Sequence, residues 1–61
     1  MQGARVLILS GEFKGHEGIC LGQERIGRWA ISPDGSNKIV SLLFDREFAL
    51  LIDLSAVPVR N

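Results

Sequence analysis

Three glycines, Gly11, Gly15 and Gly18, fall inside eight residues and frame Phe13, Lys14 and His16. Glycine is the residue of choice where the chain needs positive φ or a close backbone approach. The stretch lies between two apolar runs, so it reads as a compact loop joining two strands. A fixed loop presents its side chains for binding. Lys14 can meet a phosphate or a partner's carboxylate. Phe13 can stack on a base, or tuck under the loop to close the core. His16 can titrate near neutral pH, or stand as a solvated loop residue. The candidate contact set is Phe13, Lys14, Gly15 and His16, joined by Arg28, a base with no acidic neighbour in sequence.

Catalytic chemistry finds little to work with. The chain has one histidine, His16, and one cysteine, Cys20. A nucleophile–base pair or triad needs several such groups in hydrogen-bond reach. A structural zinc site wants four ligands, commonly Cys or His. Asp45, Glu47 and Asp53 could pair as carboxylates, but their spacing does not require it. The glycine loop lacks the Gly-Lys-Ser/Thr run of a nucleotide cradle, and no helix follows it. The chain reads as non-enzymatic, with no metal and no cofactor. Cys20 reads as a small apolar filler.

With 61 residues the chain makes one domain, residues 1–61, with a small core. A domain of about 60 residues buries only about 60% of its unfolded surface. One cysteine allows no internal disulfide, so stability must come from apolar packing, from association, or from both. Apolar residues make up 46% of the chain, and seven bases balance seven acids. No self-repulsion keeps copies apart, a hint that another chain covers some apolar surface. The start of the chain shows no signal-peptide pattern, and its longest apolar run, residues 48–52, is far below the roughly 20 residues of a membrane span. A cytoplasmic location is the expectation.

The elements that must position these groups are strands. Residues 5–9 alternate, with Val6 and Ile8 on one face and Leu7 and Leu9 on the other. Both faces are apolar, so this strand is expected to be covered on both sides or to sit at a partner contact. Residues 18–22 form a second strand, with Cys20 opposite Ile19 and Leu21, and residues 23–27 a turn or irregular hairpin end. Residues 28–32 form a third strand, with Trp29 and Ile31 on one face and Trp29 expected in the core. Residues 33–37, Pro-Asp-Gly-Ser-Asn, are a turn by composition. Residues 38–44 pair back as a fourth strand. Residues 45–48 break the run with three charges, and Phe48 is expected to fold back into the core. Residues 49–53 are the last strand, and Pro58 marks 54–61 as an edge or loose end. A helix over 45–54, lining up Phe44, Phe48 and Leu51, competes with that last strand. The turn spacing points to an all-β fold, a small five-stranded barrel with a strongly bent antiparallel sheet.

Gly3, Val6, Ile8, Gly11, Phe13, Lys14, Gly15, Gly18 and Ile19 together resemble the KOW motif, which occurs in some ribosomal proteins and transcription-elongation factors on a small SH3-like barrel. The match covers residues 3–19. It implies an SH3-like barrel, with RNA or ribosome contact as one role. SH3-like barrels also bind protein, and fold does not fix function.

Charge argues between these roles. Nucleic-acid binding needs clustered bases that gather phosphates. Here Glu12 and Glu17 flank Lys14, Glu24 abuts Arg25, and Asp45 and Glu47 flank Arg46. Only Arg5, Arg28, Lys38 and Arg60 have no acid within two residues. The leading expectation is an interaction module that docks on a protein partner or associates with itself. RNA binding through the glycine loop is the alternative.

Overall fold

The computed structural model describes residues 1–51. They form five strands: β1 (Arg5–Ile8), β2 (Glu17–Arg25), β3 (Arg28–Pro33), β4 (Val40–Leu43) and β5 (Phe48–Leu50). All are antiparallel in one sheet, in the order β4-β3-β2-β1-β5. Among the described residues there is no helix, and residues 45–47 are a turn. The predicted last strand begins one residue early, at Phe48, and residues 52–61 lie outside the described part.

Period-two alternation builds the core. Val6 and Ile8 of β1, Cys20 of β2, Ile31 of β3, Leu42 of β4 and Phe48 of β5 are its buried side chains. Phe13, Trp29 and Val40 pack against them, half-buried. Trp29 is thus a wall of the core rather than its centre. It stands near the turn that joins β2 to β3, opposite Gln23 and Leu42. Cys20 fills the small space opposite Ile31.

β1 and β3 differ from the sequence reading by one residue at one end each, and β2 and β4 differ by more. β2 runs on through residues 23–25, because its pairing with β3 continues past register shifts between Cys20 and Gly22 and between Gln23 and Arg25. Bulges of this kind bend a strand while keeping it in the sheet. β4 is shorter than expected, because Lys38 and Ile39 make no ladder with β3.

The outermost strands, β4 and β5, are joined by only residues 44–47. A flat sheet would hold them four spacings apart, about 19 Å. That exceeds the roughly 17 Å reach of such a link at full stretch, and this link is folded into a turn. Asp45 N–H donates to the Phe48 carbonyl at 2.9 Å, and Glu47 N–H to the Leu43 carbonyl at 2.9 Å. Asp45 takes φ 73°, a region that aspartate tolerates better than most residues. The sheet therefore curls until its edges meet at a single bridge, Phe44 to Phe48. No ladder joins β4 to β5, and the sheet is not closed.

Candidate functional site

The glycine loop, residues 9–16, is held from within. Lys14 N–H donates to the Gly11 carbonyl at 3.2 Å, Gly15 N–H to Ile8 at 2.8 Å and His16 N–H to Phe13 at 2.9 Å. Gly11 and Gly15 both take positive φ, 86° and 90°, where a Cβ is strained. The loop therefore folds as its composition predicts. Gly18 does not belong to it. It sits in β2, opposite Pro33, and takes no positive φ. Its reason for being glycine is room, since a Cβ there would lie 2.7 Å from the Ser32 carbonyl oxygen.

The loop brings Phe13, Lys14, Gly15 and His16 together. Phe13 turns toward the core and meets the His16 ring edge-on, with centroids 5.9 Å apart. His16 Nδ1 lies 3.1 Å from the Phe13 carbonyl. A carbonyl only accepts, so this contact assigns the ring proton to Nδ1. Lys14 is exposed and makes no ion pair among the described residues. Arg28 does not join this group. It begins β3, paired with Arg25, at the end of the β2–β3 ladder away from Glu17 and the loop. Its Nη1 donates to the Ser41 carbonyl at 3.0 Å.

Two bases that look unpaired in sequence are paired in space. Arg5 meets Glu17 at 3.0 Å and also Asp34, tying β1 and β2 to the turn after β3. Asp34 first and Glu17 second hold the guanidinium above its ordinary range, so it stays charged. Lys38 reaches Glu12 at 3.2 Å, linking the glycine loop to the segment before β4. These pairs are exposed and add little stability individually. They do remove two bases from any field that could gather phosphates.

The sequence reading missed a second place, at the opposite end of the β2–β3 ladder. Arg25 and Arg28 face each other and leave Ile26 and Gly27 as a two-residue turn. Gly27 supplies the positive φ, 79°. Nothing in the turn requires isoleucine, since turn positions favour Gly, Asn, Asp, Ser and Pro. Ile26 is nonetheless 98% exposed. Beside it, Phe44 N–H donates to the Gly27 carbonyl at 2.9 Å, and the Phe44 side chain is 40% exposed. The Phe44 ring leans on Phe48 with centroids 5.6 Å apart, so the patch is continuous with the core. The one signal in sequence was a β-branched apolar residue next to a turn glycine.

Glu47 holds this end of the sheet in place. Its carboxylate accepts from Leu43 N–H at 2.8 Å, and its own carbonyl accepts from Leu9 N–H at 2.8 Å. One residue thus ties the end of β1 to β4 across the open seam. Glu47→Ala leaves the part-buried Leu43 N–H without its acceptor, a loss of about 1–3 kcal/mol. Glu47→Gln keeps a carbonyl oxygen there and should lose well under half as much. Urea melts of both variants check the order. Equal midpoints would show that the carboxylate does not hold the seam.

Among the described residues no three His, Cys, Asp or Glu side chains converge as metal ligands. In comparison with known proteins, no family model, no curated protein and no solved structure matches this chain.

Proposed function

We propose that this chain is a non-enzymatic docking module on an SH3-like barrel, and that it meets a protein partner through the Ile26–Phe44 end. The observation that carries the reading is Ile26, a fully exposed isoleucine at a turn that does not need it, beside a half-exposed phenylalanine. Scattered exposed apolar residues are ordinary, whereas neighbouring ones rimmed by charge mark contact surfaces. Glu24, Arg25, Arg28, Asp45 and Arg46 supply that rim. The barrel assignment rests on the short antiparallel strands, the return of β5 beside β1, and edges that meet at Phe44 and Phe48.

RNA contact at the glycine loop draws less support. Among the described residues the loop offers one base without an acidic partner, Lys14, and Arg28 stands away from it. The deciding experiment is photo-crosslinking in the source cell, with the reactive side chain at position 26 or at exposed position 37. A discrete protein adduct at 26, absent at 37, is the expected result. Adducts of equal pattern at both positions, or none at 26, would remove the docking face.

A further inference from the structure

The ring of charge around Ile26 points to what covers it. We infer that the occupant is a second copy of this chain, held as a weak two-fold dimer; this rests on the docking reading above. Glu24 and Arg25 stand side by side at one turn, and Asp45 and Arg46 at the other. All four are exposed, and the Phe44–Gly27 hydrogen bond brings the two turns together. In a two-fold contact a surface meets itself. Each copy then offers both signs, and acids of one can lie against bases of the other. A uniformly acidic or basic partner would meet like charge along part of the same ring. The whole chain carries no net charge, so copies approach without long-range repulsion. The apolar centre, Ile26 and Phe44, is what such a ring would enclose.

Size sets the strength. A standard specific interface uses about 20–30 residues a side. The tip brings together far fewer, Glu24–Arg28 and Phe44–Arg46. The dimer is therefore dissociable, and mass should depend on concentration.

Light scattering after size exclusion, from about 10 µM to about 1 mM, spans the range where so small an interface should form. The wild-type mass should climb toward twice that of the chain, 6.7 kDa. Ile26→Asp should stay monomeric with an unchanged thermal melt, because its side chain leaves water for nothing in the monomer. Amide shifts of the wild type on dilution should concentrate in residues 24–28 and 44–46. A wild type that stays monomeric at the highest concentration overturns the second copy as occupant, and the crosslink at position 26 then decides for or against a foreign partner. A dimer that survives Ile26→Asp, or dilution shifts centred elsewhere, overturns the tip as the contact.

Discussion

Phe48→Ala should cost about 3–5 kcal/mol and leave much of the chain unfolded at room temperature. Phe48 is fully buried, in a strand only three residues long. It lies opposite Ile8 on β1 and leans on Phe44, which begins the turn from β4. Its ring therefore joins the two edges of the sheet at the one place where they meet. Typical stability of about 0.05–0.15 kcal/mol per residue gives a chain this short roughly 3–9 kcal/mol in all. The loss is comparable with the whole. Phe48→Leu keeps most of the volume and should cost a smaller part. Circular-dichroism melts of the three proteins measure the order. An alanine variant within about 1 kcal/mol of wild type would mean that β5 is not needed to hold the curled sheet.

What the sequence made legible follows from how far each signal reaches. Alternation is a local signal with a single cause, and it grouped Val6 with Ile8, and Trp29 with Ile31, on faces that the structure turns inward. It did not tell which face of residues 5–9 would be the buried one. Asp34 and Gly35 announced their turn because each has its own backbone preference, whereas Pro33, read as part of that turn, ends β3 opposite Gly18. Phe48 was readable because three charges, Asp45, Arg46 and Glu47, make the turn before it and an apolar run follows it. The rest depended on contacts between distant segments. The length of β2 depends on bulges that keep it paired with β3, and no residue type in 23–25 announces them. Glu47 looked like one charge of a turn, but its role comes from Leu9 and Leu43 arriving from two other strands. Arg28 was grouped with the glycine loop for lack of an acidic neighbour. Sequence neighbours did not decide its place; the direction of β3 did, and that put it at the far end of the ladder. Arg5 and Lys38 make the same point, since their acids come from positions 12, 17 and 34.

Gly18→Val should cost about 2–3 kcal/mol by overpacking, for a different reason than its neighbours in the glycine series. At Gly11 and Gly15 a Cβ would meet nothing within 4 Å, and only the positive φ resists it. At Gly18 the backbone is ordinary strand, but a Cβ would sit 2.7 Å from the Ser32 oxygen and 3.2 Å from Pro33 Cα. Both obstacles are main chain of the paired strand β3, so no side chain can turn away to make room. A glycine inside a strand often marks such a close approach. The two causes separate under one substitution. Asparagine tolerates positive φ, so Gly15→Asn should keep most of the stability that Gly15→Val loses. Gly18→Asn should be no better than Gly18→Ala, because space and not φ is short there. Chemical melts of these variants read the difference directly. Rescue by asparagine at position 18 would mean that β2 and β3 can part at Gly18. Buried Cys20 and Ile31, two pairs along the ladder, would then need another tie to hold that side of the core.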